Sequence, residues 1–500
     1  NVYGVTLPGT PSVIIGFNEA VAWGVTNVGS DVMDFYRIQF GDSGYDTYWH
    51  DGQWKPTTRH LEVYRLKGGD TWTDTVYCTH HGPVEFHESR GGDDATGSRL
   101  EGYAMRWIGN DTTGADVLTF HYLNRAKNYD DYRSALTHFT APAQNFVFAS
   151  RDNDIAITSN GKLPVKWKGQ GKFVLDGTLA GHDWQGWIPY DQLPTVRNPE
   201  RGYVSSANQF PADTTYPYYL NWSFAHPSRA MRINERLDRM QQATADSLRA
   251  LQNDNYHVDA RRILPRLLKA VQADDSLRWS PAYQAIAAWN LENQPDAVGA
   301  SLFDYWRAEL LSLIWSDDFP SGEALLYPTA DRTMALLLDE PLAPWFDRKD
   351  TPDTVETADD IIRLAFRQAV AKLHNRFGPL SPKNWAWGNV KETQVMHLIP
   401  AFRSFGRTGI RVGGGSGIVN ATSETNGPSW RMVVQLDREW PVAFGLYPGG
   451  QSGNPASSYY DNMIDRWASG QLDTLLFMRH VAEPSARLRH RLLLKPAPAP

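Results

Sequence analysis

A change of hydrophobic rhythm part-way along the chain constrains its fold more than any other feature. Through about residue 208, short runs such as Ser12-Val13-Ile14-Ile15-Gly16, Leu61-Glu62-Val63-Tyr64-Arg65 and Asn145-Phe146-Val147-Phe148-Ala149 are separated by clusters of Gly, Asp and Asn. β-Branched and aromatic runs bounded by turn formers predict antiparallel strands, interrupted here by one helix near 129–138. From about 228 to 375 apolar residues recur at helical spacing, as in Met231-Arg232-Ile233-Asn234-Glu235-Arg236-Leu237, Arg262-Ile263-Leu264-Pro265-Arg266-Leu267-Leu268 and Ile361-Ile362-Arg363-Leu364-Ala365-Phe366. Strand-like runs return between 410 and 446, in Gly417-Ile418-Val419-Asn420-Ala421 and Arg431-Met432-Val433-Val434-Gln435-Leu436. The pattern predicts an α+β fold: a sheet-rich part over 1–227, a helical insertion over 228–390, a returning sheet-rich part over 391–480, and a loose tail over 481–500.

Composition removes several function classes. The 500 residues are 41% hydrophobic and 21% charged, which is enough apolar surface for a core without covalent staples and excludes disorder for most of the chain. A net charge of -7, with Lys and Arg dispersed, gives no electrostatic footprint for nucleic acid or anionic lipid. No run of about 18 apolar residues is present to span a membrane. The single cysteine, Cys78, rules out an internal disulfide and reads as a small apolar residue in a strand.

Familiar catalytic signatures are missing as well. The chain has no Gly-x-Ser-x-Gly elbow, Walker loop, His-Glu-x-x-His or Cys-x-x-Cys. Gly413-Gly414-Gly415-Ser416-Gly417 lacks the following Lys of a phosphate loop and reads as a close packing turn. His80-His81 reads as structural, because neighbours on a strand point to opposite faces and cannot share one ion without a bend.

What remains is the stretch Gly16-Phe17-Asn18-Glu19-Ala20-Val21-Ala22-Trp23-Gly24-Val25-Thr26-Asn27, followed by Asp31 and Asp34. In order along the chain come Thr79-His80-His81-Gly82-Pro83-Val84, Ala143-Gln144-Asn145-Phe146-Val147, Ser159-Asn160-Gly161-Lys162-Leu163-Pro164, Gly202-Tyr203-Val204-Ser205-Ser206-Ala207-Asn208-Gln209, Gly427-Pro428-Ser429-Trp430-Arg431 and Pro448-Gly449-Gly450-Gln451-Ser452-Gly453-Asn454-Pro455. Together these segments resemble the penicillin amidase family of N-terminal-nucleophile hydrolases, over roughly residues 1–475. The resemblance implies a four-layer αββα sandwich with the helical block as an elaboration. It also implies an amidohydrolase of linear N-acyl amides, of the β-lactam side-chain or acyl-homoserine-lactone type, and a precursor cut autocatalytically into two subunits.

Residue roles follow from the same resemblance. The Asn208 side-chain amide matches a donor to the oxyanion, Asn27 the position whose backbone N–H faces the same oxyanion, and Arg229 the arginine that helps organise the nucleophile and that asparagine, with Arg232 competing for that assignment. Val13, Ile14 and Ile15 fall where the family lines its acyl pocket, although a core-strand reading is equally natural. Asp31 and Asp34, with the carbonyl of Met33 between them, match ligands of one calcium ion, and two carboxylates three apart suit a hard cation. Asn221 stands where the family carries an acidic ligand, and a further ligand is expected on the small subunit.

Asn1 cannot serve as the nucleophile, so the chain is read as most of a large subunit whose N-terminal serine lies outside it, and it is expected to be inactive alone. The partner expected is the small subunit, and the location periplasmic or exported. Competing readings are a catalytically silent homologue and an aromatic-rich glycan-binding protein.

Overall fold

The computed structural model describes residues 1–41, 44–85, 102–111, 114–319, 328–480, 482–493 and 495. The chain divides into two compact units, one of residues 1–225 with 438–440 and one of residues 226–437 with 441–500.

The first unit carries the strands β1 (Val2–Val5), β2 (Ile15–Asn18), β3 (Val21–Asn27), β4 (Met33–Arg37), β5 (Thr47–His50), β6 (Gln53–Pro56), β7 (Thr58–Arg65), β8 (Thr71–Thr79), β9 (Gly82–Glu85), β10 (Tyr103–Trp107), β11 (Gln144–Ser150), β12 (Ile155–Asn160), β13 (Leu175–Asp176) and β14 (Thr195–Arg197), with helices α1 (Asp116–Leu123) and α2 (Tyr129–Leu136). One six-stranded sheet runs β1-β2-β3-β11-β12-β14 and another runs β13-β4-β10-β9-β8-β7, while β5 and β6 form a hairpin. Among the described residues every pairing of this unit is antiparallel except β13 with β4.

Alternation decides which face of the first sheet is covered. Phe146 and Phe148 on β11 pack with Val21 and Trp23 of β3 and with Leu123, Tyr132 and Leu136 of the two helices. Each such side chain contributes about 1.5–3 kcal/mol of burial. Tyr132 is fully buried and its hydroxyl donates to the Phe146 carbonyl at 2.8 Å, so the one polar atom it brings into this layer is matched. The second sheet buries Tyr36, Val84, Ala104 and Leu175 with Tyr48 of β5. Cys78 is a half-buried residue of β8 paired with Thr58.

His80 and His81 are not strand residues. They form the turn between β8 and β9, closed by Gly82 at φ 118°, and their rings lie 3.8 Å apart at the centroids. The turn supplies the bend that a strand would not.

The second unit is mostly helical: α3 (Ser228–Asp238), α4 (Ala245–Gln252), α5 (Val258–Gln272), α6 (Asp275–Arg278), α7 (Pro281–Ala287), α8 (Val298–Trp315), α9 (Ala330–Asp339) and α10 (Ala358–Phe377). Helix α10 opens on a Thr357/Asp360 capping box. It packs on α5 and α8, where Trp306 is fully buried and donates from Nε1 to the Ile362 carbonyl at 3.0 Å. Strands β15 (Arg431–Gln435), β16 (Val442–Leu446) and β17 (Asp473–Thr474) form a separate antiparallel sheet. The expected strand at 417–421 is absent, because Gly415 N–H reaches back to the Asn420 carbonyl and closes a turn. A Cβ on Gly414, whose φ is 81°, would stand 1.9 Å from that same carbonyl. The glycine run is a packing turn. Of the expected tail over 481–500, residues 482–493 and 495 are described and hold no helix or strand, while 481, 494 and 496–500 lie outside the described residues.

His257 caps α5 by accepting the Ala260 N–H on Nδ1 at 3.3 Å. Burial, then the charge of Arg307, pushes its pKa down to about 4 from 6.5, with Asp259 acting in the opposite direction. Between those values the unfolded chain holds a proton that the folded chain does not, so this stability rises with pH and is lost as pH falls through the window. Wild-type protein is expected to lose about 1–2 kcal/mol from this group between pH 6.5 and 5. His257→Asn keeps a cap acceptor without the titration, and its urea midpoint should fall less steeply over that range. Identical slopes for the two proteins would remove the group from the account.

Candidate active site

The β2–β3 hairpin is set by one buried side chain. Asn18 Oδ1 accepts the N–H groups of Ala20 and Val21 at 2.8 and 2.9 Å, and Asn18 Nδ2 donates to the Ala126 carbonyl at 2.8 Å. The turn therefore cannot slip, and β3 runs in fixed register against β11 with Asn27 opposite Gln144. Val28 N–H bonds to the Ala143 carbonyl at 3.5 Å. By the alternation of antiparallel ladders, the Asn27–Gln144 pair is then the non-hydrogen-bonded kind, and the Asn27 N–H is aimed away from β11.

Asn208 arrives at the same place from 181 residues further on. Its Nδ2 donates to the Asn27 carbonyl at 2.8 Å. Its backbone sits at φ 66°, a left-handed conformation that Asn tolerates better than most residues. A polar cluster beneath holds both segments: Ser206 Oγ is 2.7 Å from Thr26 Oγ1, Asn145 Nδ2 donates to Ser206 Oγ at 3.1 Å, and Ser159 Oγ donates to Asn145 Oδ1 at 2.5 Å. Asn145 and Ser159 are buried, so these bonds replace water rather than compete with it.

Asp31 and Asp34 form a second polar site in the same unit. Lys166, whose side chain is 1% exposed, places Nζ 3.0 Å from Asp31 Oδ2 and 2.7 Å from Asp34 Oδ2. Trp184 Nε1 donates to Asp34 Oδ2 at 2.5 Å. Gly171 closes the other side, since a Cβ there would stand 2.2 and 2.3 Å from the two carboxylates. Burial raises the Asp31 pKa, and the Lys166 charge opposes that rise while the Asp34 charge adds to it.

The family model for penicillin amidase matches residues 1–483. The chain belongs to the penicillin amidase family. It is 26% identical over 512 residues to the acyl-homoserine lactone acylase QuiP of Pseudomonas syringae pv. syringae, covering 95% of this chain and 60% of that protein. It is 25% identical over 501 residues to the penicillin acylase 2 proenzyme of a Pseudomonas species, covering 95% and 61%. The chain thus spans about 60% of the length of these curated relatives. A thermostable penicillin G acylase from Alcaligenes faecalis superposes with a TM-score of 0.70 at 19% identity, covering all of this chain and 92% of that one. That likeness shows the α+β fold of the N-terminal-nucleophile hydrolases.

Of the residues the family pattern singled out, Asn27 and Asn208 are brought together in the first unit. Arg229 lies in α3 of the second unit, half-buried, with its pKa lowered by burial. Its competitor Arg232 is spent on Asp254, with Nε 3.0 Å from both carboxylate oxygens. The Val13 main chain is bonded to the Asn124 side chain, its N–H donating to Oδ1 at 2.9 Å and its carbonyl accepting from Nδ2 at 2.8 Å, and Val13 borders the core beneath β3. Ile14 and Ile15 are half-buried: the Ile14 carbonyl accepts from Trp23 Nε1 at 2.9 Å, and Ile15 pairs with Val5 in the sheet.

The expected calcium ligands do not fit that ion as they stand. A cation bound between Asp31 and Asp34 would meet the Lys166 ammonium already there. Asn221 is turned elsewhere, donating to the Gly29 carbonyl at 2.6 Å while its Oδ1 accepts the Trp222 N–H at 2.6 Å. Lys166 was missed by sequence reasoning, though a charged residue inside Leu163-Pro164-Val165-Lys166-Trp167 is a signal, because a lysine buried in apolar surroundings requires a carboxylate. Asn145, Ser159 and Ser206 fell in recognised segments without a role.

Proposed function

We propose that the complete protein is an amidohydrolase of linear N-acyl amides, of the acyl-homoserine-lactone or β-lactam side-chain type, working through an acyl-enzyme on an N-terminal serine. The serine hydroxyl attacks the amide carbonyl and its own α-amino group takes the proton. Asn208 Nδ2 and the Asn27 N–H stabilise the oxyanion, the amine departs, and water releases the acid. The segment of Val13, Ile14 and Ile15 contributes to the acyl pocket. A small subunit from the same precursor completes the site, and the processed protein is exported. No described helix is long and apolar enough to cross a membrane.

The observation that carries this reading is the bond from the Asn208 amide to the main chain of Asn27. In acyl transfer, donors of this kind must be fixed before charge develops, and the Thr26, Asn145, Ser159 and Ser206 cluster fixes them. The test is hydrolysis by the complete, processed precursor of a panel spanning phenylacetyl amides, short and long acyl amides and N-acyl-homoserine lactones. Release of free acid from at least one class is expected. Processed protein that releases acid from none of them would favour the silent homologue.

A further inference from the structure

We infer that His50, His80, His81 and Asp183 form a structural zinc site in the first unit, distinct from the oxyanion donors and from the Asp31–Asp34 pair. Their ligand atoms all lie within 4.8 Å of one another. Asp183 Oδ2 is 3.2 Å from His50 Nε2 and 3.5 Å from His80 Nε2, and its Oδ1 is 3.7 Å from His81 Nε2. A tetrahedral zinc with bonds of about 2.0–2.1 Å spaces its ligand atoms roughly 3.3 Å apart. The separations bracket that value.

Hydrogen positions sharpen the inference. His50 Nδ1 faces the Gly177 carbonyl at 2.9 Å, and a carbonyl only accepts, so the proton of a neutral His50 ring is on Nδ1. Its Nε2 lone pair then faces a carboxylate oxygen at 3.2 Å, an approach that either a second proton on the ring or a metal ion between the two atoms would satisfy. The Gly177 bond is also the outer contact that orients metal-bound imidazoles. His80 Nδ1 lies 3.0 Å from the Tyr48 hydroxyl, which orients that ring, although a hydroxyl can donate or accept and so leaves its tautomer open. His50 and His81 are each 2% exposed, and Asp183 Oδ1 is buried without a hydrogen bond from the described residues. His81 Nε2 also lies 3.4 Å from the Gly177 carbonyl, a contact that a zinc bond at this nitrogen would replace. The His81 ring is further clamped by Tyr36, stacked at 3.8 Å between centroids.

Zinc suits this donor set better than calcium or magnesium, because imidazole nitrogen predominates over oxygen. Four protein ligands leave no open position, so the ion would be structural rather than catalytic. It would tie the end of β5, the β8–β9 turn and the segment around Asp183, which are far apart in sequence. The next residue, Trp184, donates to Asp34, so the tie also buttresses the Lys166 site.

The experiment uses the complete protein without a polyhistidine tag, stripped with a chelator and titrated with Zn2+ against a chromophoric competitor. One zinc per molecule is expected, with a rise in melting temperature, and Co2+ should give the visible bands of a tetrahedral centre. His80→Ala, at the most exposed of the three histidines, and Asp183→Asn should each weaken zinc by more than the roughly 10–100-fold typical of losing an outer contact. Far-UV circular dichroism of the two variants checks that at least one is folded. No stoichiometric zinc, or zinc bound equally by the folded variants, would overturn the site and leave a hydrogen-bonded histidine cluster. Acid release in the substrate panel is read separately, so the two proposals fail independently.

Discussion

In the complete processed protein, Asn208→Gly is expected to lower kcat on a cleavable N-acyl amide by about 10²–10³-fold, with KM and melting temperature nearly unchanged. The fold-change is that of losing one oxyanion donor, about 2.7–4 kcal/mol of transition-state stabilisation. Glycine is the informative replacement because Asn208 holds φ at 66°. Glycine accepts that conformation freely, whereas alanine there costs about 1–2 kcal/mol, which would blur lost chemistry with lost stability. Asn208→Ala should therefore show the same fall in kcat together with a lower melting temperature. Parallel losses in kcat and kcat/KM mark an interaction made in the transition state. A fall confined to a raised KM would place Asn208 in ground-state binding instead. Unchanged kinetics in a folded Asn208→Gly enzyme would remove it from the oxyanion site altogether.

Much of the fold was legible because local pattern and tertiary burial agree. The 145–149 run alternates, and in β11 Phe146 and Phe148 face the core. The helical spacing at 262–268 and 361–366 places Ile263, Leu264, Leu267, Ile361, Ile362 and Ala365 in one buried cluster. Local pattern misled where apolar residues are buried without regular structure: Ile418 is 1% exposed, yet it sits in a turn that only Gly414 permits. Helix α1 escaped notice because its Val, Thr, Phe and Tyr suit strands equally well. The site divides along the same line. Asn27 and Asn208 were reachable only through the family pattern, since nothing local to either segment indicates a partner 181 residues away. His80 and His81 were read as strand residues facing apart, and only the turn at Gly82 brings them to Asp183 with His50.

The Lys166 ammonium makes a different prediction from the calcium expected by family resemblance. Lys166→Met is expected to destabilise the protein by about 3–5 kcal/mol, the usual cost of removing one partner from a buried ion pair and leaving the other charged and dry. Here two carboxylates are left, on side chains 10% and 0% exposed. With Lys166 present, burial already raises the Asp31 pKa. Without it the principal opposing charge is gone, so Asp31 should take up a proton more readily and the variant should recover part of its stability at low pH, a window in which wild type gains less. The sign follows from linkage: a carboxyl whose folded pKa is raised favours the folded state while protonated and loses that contribution as pH rises through the folded value. Urea unfolding of both proteins across pH 4–8 measures the difference. Calcium supplies the decisive comparison. Added at millimolar concentration, it should leave the wild-type melting temperature unmoved, because Lys166 Nζ lies between the oxygens the ion would need. It should raise that of Lys166→Met, where those oxygens face an uncharged thioether. A wild-type melting temperature that climbs with calcium would show that the ion displaces the lysine, and the carboxylate pair would then be the metal site that its sequence resembles.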